Sequence, residues 1–173
     1  AIPTPVSFWN CDESSGNLVD AVGSNTLTNN NTVTFVSGLI GNAADLEASS
    51  TQTFSIADGS QTGLDITGDL TIASWIKLES DPGSNISMPI TSKGFEGNTN
   101  RAYIFTVQDL AGTNYLYFQS AATGAGGAGL FVTWSPSLAT WYHVACVYNS
   151  SAGEVSFFVN GSQQGATQTG AQA

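Results

Sequence analysis

The chain has 173 residues, with 3 Lys+Arg against 13 Asp+Glu and a single His, a formal net charge of −10. Three scattered cations cannot neutralise a run of phosphates, so nucleic acid is a poor partner, and the same deficit disfavours anionic lipid. Charged residues make up only 9% of the chain, but 4 Trp, 5 Tyr and 9 Phe exclude a disordered chain. The remaining polarity, carried by Ser, Thr, Asn, Gln and Gly, suits strands and tight turns and is a poor diet for helices.

The start, Ala1-Ile2-Pro3-Thr4-Pro5, reads as an extended leader over residues 1–5, because each proline fixes its own φ and biases its neighbour to extended backbone. A trimmed signal peptide or an excised domain would both give this start. Alternation and aromatic or β-branched content then predict strands at 6–9, 32–36, 53–56, 70–78, 90–93, 103–107, 115–119, 131–134, 141–148 and 155–160. Turn signals separate them, among them Asp58-Gly59, Asp81-Pro82-Gly83, Gly112-Thr113-Asn114 and Asn160-Gly161. The run 124–129, built of Gly and Ala alone, predicts a mobile loop, and 162–173 reads as a polar, turn-like tail. No segment carries a long helical period, and no apolar run nears the ~18 residues that would span a bilayer. Regular strands with turn punctuation predict a two-sheet sandwich or a barrel.

Period two assigns faces. In 115–119, Leu116 and Phe118 share the side given to the core, which leaves Tyr115, Tyr117 and Gln119 outward. In 155–159, Val155, Phe157 and Val159 share a face, with Phe158 opposite. An outward aromatic row is a surface on which sugars stack; loops or a partner covering it is the plainer reading. Cys11 and Cys146, 135 residues apart, leave open either a disulfide or two buried free thiols.

Taken in order, several short words resemble a known family. They are Phe8-Trp9-Asn10-Cys11-Asp12-Glu13-Ser14-Ser15-Gly16, the stretch 38–46, Phe54-Ser55-Ile56, Leu70-Thr71-Ile72-Ala73-Ser74-Trp75-Ile76-Lys77 and Ile90-Thr91-Ser92-Lys93-Gly94. The most specific are Trp141-Tyr142-His143-Val144-Ala145 and Phe157-Phe158-Val159-Asn160-Gly161. Together, from Val6 to Gly161, the chain resembles the laminin-G-like, concanavalin A-like jelly-roll lectin domains in their bacterial and phage form. The resemblance implies an all-β fold of two antiparallel sheets packed face to face over residues 6–161. The family pattern continues past this point, and here twelve residues follow Gly161. The expectation is therefore a sandwich lacking its last strands, roughly 30–50 residues of a complete jelly roll. Either the sequence is a piece of a longer chain that carries them, or a copy of the chain or a neighbouring chain would complete it.

The scaffold hosts many functions, so the chemistry has to come from residues. Glycoside hydrolysis needs two carboxylates placed across one bond, and the Glu-x-Asp-x-x-Glu strand motif of the fold's enzyme branch does not occur; Asp45 and Glu47 sit two apart in a word that resembles a turn and core strand. His143, the single His, stands at a strand position that the resemblance makes structural. Two Cys and one His are too few for a zinc site. Many relatives carry one Ca²⁺, and Asp12, Glu13 and Asp20 in the opening motif are the candidate ligands, against a capping or turn role.

The expectation is a non-catalytic extracellular recognition or adhesion module, carbohydrate-binding through Tyr115, Tyr117, Trp134 and Phe158, with Trp9, Trp75 and Trp141 given to packing. The rival expectation is a structural subunit of a virion, tail fibre or cell-surface filament. A glycoside hydrolase is the weakest of the three. Its partners would be a glycan or glycosylated surface, with no nucleic acid and no membrane insertion, and its place the extracellular, cell or virion surface.

Overall fold

The computed structural model describes residues 4–94, 102–121 and 129–171, and the chain packs as two units, 1–65 and 66–173. Residues 1–3 of the expected leader and 124–128 of the expected loop lie outside the described residues. Among the described residues every sheet is antiparallel, and the only helical pieces are the 3₁₀ turns Ala48–Ser50 and Asp58–Ser60.

The first unit holds four short strands: β1 (Thr28–Asn30), β2 (Thr34–Ser37), β3 (Asn42–Asp45) and β4 (Thr53–Ser55). They pair as β1 with β4 and β2 with β3. Strands this short bury little, and the buried hydrophobic side chains here are Leu18 and Val33. Buried polar groups hold the unit instead. Asn25, 1% exposed, exchanges two hydrogen bonds with Thr62, donating from Nδ2 to its carbonyl (2.9 Å) and accepting its N–H at Oδ1 (2.7 Å). The Asn25 carbonyl also accepts the Trp9 indole N–H at 2.8 Å. The strand expected at 6–9 is reduced to a single bridge, Trp9 to Asp20, because the Asp20 carboxylate rather than a neighbouring strand accepts the Phe8 N–H.

The second unit is the sandwich. Its strands are β5 (Leu70–Lys77), β6 (Ser87–Lys93), β7 (Tyr103–Leu110), β8 (Thr113–Ser120), β9 (Leu130–Thr133), β10 (Trp141–Asn149), β11 (Glu154–Val159) and β12 (Ser162–Thr169). One sheet runs β12-β11-β10-β5, the other β6-β7-β8-β9. This is the two-sheet antiparallel fold expected from the sequence. The tail reading needs correction: Ser162–Thr169 forms a full edge strand paired along β11. Its residues, Ser-Gln-Gln-Gly-Ala-Thr-Gln-Thr, lack the apolar alternation that marks a strand. The Asn160-Gly161 turn supplies the missing instruction, since both residues have positive φ (49° and 79°), as a two-residue hairpin requires.

Inward side chains of both sheets meet in one core. Phe105, Phe118, Leu116, Val144, Cys146, Val155 and Phe157 are fully buried there. Three aromatic pairs bridge the sheets: Phe105–Phe157 (6.3 Å), Phe118–Tyr148 (5.4 Å) and Trp134–Tyr142 (5.3 Å, edge-on). Leu116 and Phe118 face inward, as alternation predicts. Both cysteines are free. Cys146 lies in the core, where burial pushes its thiol up to about 12.

Truncating Phe118 to Ala removes a ring with no exposed surface and opens a cavity between the sheets. The expected loss is about 3–5 kcal/mol, read by chemical denaturation; a loss under about 1 kcal/mol would mean the sheets are not held at this pair.

Candidate functional site

The sandwich has two outer faces. On the β6-β7-β8-β9 sheet, Tyr115 and Tyr117 of β8 meet Phe131 of β9: Tyr115 edge-on at 4.9 Å, Tyr117 parallel at 6.4 Å. Phe131, absent from the sequence reading of the site, is 41% exposed, and both tyrosines are half-buried. The Gly129 backbone closes over the Tyr117 ring so tightly that a side chain at 129 would strike it. On the same side of β7, Ile104 and Thr106 are only 4% and 1% exposed. The two tyrosines are therefore brought together as expected, but on a face that is largely covered.

The outer face of the β12-β11-β10-β5 sheet is open. Trp75 of β5 is 50% exposed and stands directly opposite His143 of β10, edge to face at 5.4 Å. Two pairs further along the ladder, Ala73 lies opposite Ala145, which is 8% exposed, and Ala145 lies opposite Phe158 of β11. Two alanines thus form a low floor between a tryptophan and a phenylalanine. Val147, 40% exposed, marks the next rung, and Lys77 places its ammonium 5.4 Å from the Trp141 ring centre at the other end. The His143 N–H is held by the Asn160 side-chain oxygen at 2.9 Å, and the Asn160 N–H returns a bond to the His143 carbonyl at 2.8 Å. The turn at Asn160-Gly161 is thereby tied to the strand that presents His143.

Two placements correct the sequence reading. Trp134 is 5% exposed and packs on Tyr142 inside the core, so it offers no surface for a ligand. Trp75 and Trp141, given to packing, point outward. The signal was available: Leu70, Ile72 and Ile76 share one parity on β5, which puts Thr71, Ala73, Trp75 and Lys77 on the other. The same parity groups Trp134 with buried Val132. Phe158 lies on the open face, across the sandwich from Tyr115 and Tyr117.

Residues 42–173 match the family described as the Concanavalin A-like lectin/glucanases superfamily, a segment longer than half of the chain. The chain belongs to this superfamily. No curated protein and no solved structure gives a match. Membership supports a lectin-like or binding module in general; the superfamily also contains glucanases, so the placement of carboxylates matters. On the sandwich strands the acidic side chains are Asp109 and Glu154, one on each sheet. Asp109 is buried, and its Oδ1 accepts the N–H groups of Asn85 (3.1 Å) and Gly112 (3.0 Å) to hold a turn.

The proposed calcium ligands lie in the first unit and serve three separate sets of donors. Asp12 Oδ1 accepts the Asn42 N–H at 2.8 Å, and Glu13 Oε1 accepts the Val19 N–H at 2.8 Å. Asp20 accepts four backbone N–H groups: those of Phe8 (3.0 Å), Val22 (3.1 Å) and Gly23 (2.9 Å) at Oδ1, and that of Asn25 (3.1 Å) at Oδ2. A Ca²⁺ site needs six to eight converging oxygens, and this donor set does not fit it. Burial alone would raise the Asp20 pKa. The Phe8 and Gly23 N–H groups, the Ser7 hydroxyl and the Val22 N–H outweigh it and hold the carboxyl well below the usual carboxylate range.

Because the folded pKa is lowered, the stabilisation is complete above the ordinary value of about 3.9 and drains away as pH falls below it. Asp20→Asn is expected to cost about 1–3 kcal/mol at neutral pH. Amide exchange at Phe8, Val22 and Gly23 should accelerate in the variant at pH 7. Unchanged exchange would show that the carboxylate holds nothing.

Proposed function

We propose that this module recognises carbohydrate without catalysing its cleavage, and that it does so on the open face of the β12-β11-β10-β5 sheet. One observation carries the reading: half-exposed Trp75 and partly buried Phe158 rise on either side of the Ala73–Ala145 floor. A planar aromatic beside small neighbours offers a pyranose an apolar face to stack on, while a few fixed polar groups set orientation. His143, opposite Trp75, and Gln163, opposite Phe158, are polar side chains on that face. On the sandwich strands, Asp109 and Glu154 lie on different sheets and do not form the facing pair that hydrolysis needs. The weakly charged, Ser-, Thr- and Asn-rich surface supports an extracellular setting.

Trp75→Ala should lower affinity for the glycan found on an array by at least about tenfold, roughly 1.4 kcal/mol, and leave the melting temperature within about 2 °C. Tyr117→Ala should change affinity less than about twofold. Retained binding in the Trp75 variant would remove the site.

A second reading, a subunit of a fibre or surface filament, has its own observation. Among the described residues β5 ends its sheet, so an eight-residue strand leaves one backbone edge unpaired. A neighbouring chain adding a strand there would appear in light scattering as a concentration-dependent rise in mass. A constant monomer mass up to millimolar protein would dismiss it.

A further inference from the structure

The first unit carries an open groove of about 620 Å³ between the segment 14–17 and the segment 29–35. Every lining residue precedes residue 42, where the match to the superfamily begins. We infer that this groove is a ligand site in its own right, distinct from the Trp75 face, and that it takes a neutral, polyhydroxylated ligand of the size of a saccharide unit.

Three observations point to that class. The walls contain no ionisable side chain, in a chain of net charge −10. A charged ligand would find no counter-charge there, and a neutral one pays no ionic desolvation. The walls do carry unused hydrogen-bonding groups. Ser14, Ser15, Thr32 and Thr34 line the groove, and their hydroxyls have no hydrogen-bond partner among the described residues. The amide Nδ2 of Asn17 and the Oδ1 of Asn31 are likewise free, although each side chain is anchored by its other atom: Asn17 Oδ1 accepts the Asn29 N–H at 2.9 Å, and Asn31 Nδ2 donates to the Thr51 carbonyl at 2.8 Å. Hydroxyls both donate and accept, which is what vicinal ligand hydroxyls require. Half-buried Phe35 adds an apolar wall.

The groove is also preformed. Asn29 staples its two sides, donating from Nδ2 to the Gly16 and Val33 carbonyls (both 2.9 Å) and accepting the Val33 N–H at Oδ1 (2.7 Å). Next to it Asn31 and Thr32 both stand at φ 60°. Left-handed backbone is uncommon for any side chain and an outlier for a β-branched one. The Gln52 side chain holds the pair there by donating to both of their carbonyls, at 3.1 and 2.9 Å. Strain of this kind persists where the surroundings over-determine it, and it gathers at ligand clamps. A rigid wall spares the ligand the cost of ordering it.

The test is an NMR titration of the ¹⁵N-labelled full chain with neutral cello-, malto-, xylo- and chito-oligosaccharides, and with oligogalacturonate as the anionic contrast. At least one neutral series should shift the backbone amides of Ser15, Asn17 and Thr34 and the side-chain amides of Asn17 and Asn31, in wild type and in Trp75→Ala alike. Ser15→Arg, which fills the groove from an exposed position, should weaken that binding by at least about tenfold, and Thr34→Val by about threefold, both with the fold intact. The inference is overturned by an absence of these shifts with every neutral series, by shifts with oligogalacturonate alone, or by undiminished affinity in both groove variants. Loss of the groove shifts in Trp75→Ala would overturn it as well, since the two sites would then be one. Failure on the Trp75 face with groove binding retained would remove the proposed function and leave this site standing.

Discussion

The sandwich depends on aromatic side chains meeting across its mid-plane. Phe105 with Phe157 and Phe118 with Tyr148 each draw one partner from each sheet, and Trp134, one residue past β9, meets Tyr142 of β10. Each such pair adds about 0.5–1.5 kcal/mol to the area it buries, and the first two join residues far apart in sequence. With charged residues only 9% of the chain, apolar contact carries most of this load. It also decides what remains for recognition: the core takes one parity of each strand, so whatever stands on the other parity is the surface available to a ligand.

The two units are held by different physics. The second relies on ring packing. The first buries little beyond Leu18 and Val33 and relies on satisfied polar groups, with Asp20 gathering four N–H donors and Asn25 exchanging bonds with Thr62. A carboxylate in such a cage is a structural tie, and the acidic opening motif that suggested a cation is explained by the backbone it closes.

The fold was legible because period-two alternation and turn residues are local signals. Leu116 and Phe118 declared the core side of β8, and Asn160-Gly161 declared a turn. What escaped had no local signal. The polar strand Ser162–Thr169 exists because β11 offers it a ladder, and Asp20 displaces the strand expected at 6–9 by a contact twelve residues away. The candidate site was half legible. Parity places Trp75 outward and Trp134 inward, but an aromatic beside apolar neighbours reads as core, and the reverse assignment followed. Phe131 joins Tyr115 and Tyr117 only through the register of β8 with β9, which no single strand encodes.

The two margins of the β12-β11-β10-β5 sheet are not equivalent. Its register slips between Val155 and Phe157, and Gly165 bends β12 with a φ of 69°, so that rim is twisted and polar. The β5 rim keeps an unbroken register of eight pairs with β10. Within this sheet, a further strand is therefore more readily added along β5 than along β12. A rim of that kind joins a second copy about a two-fold axis into a closed pair, whereas an endless ribbon needs a further rim, such as an edge of the β6-β7-β8-β9 sheet.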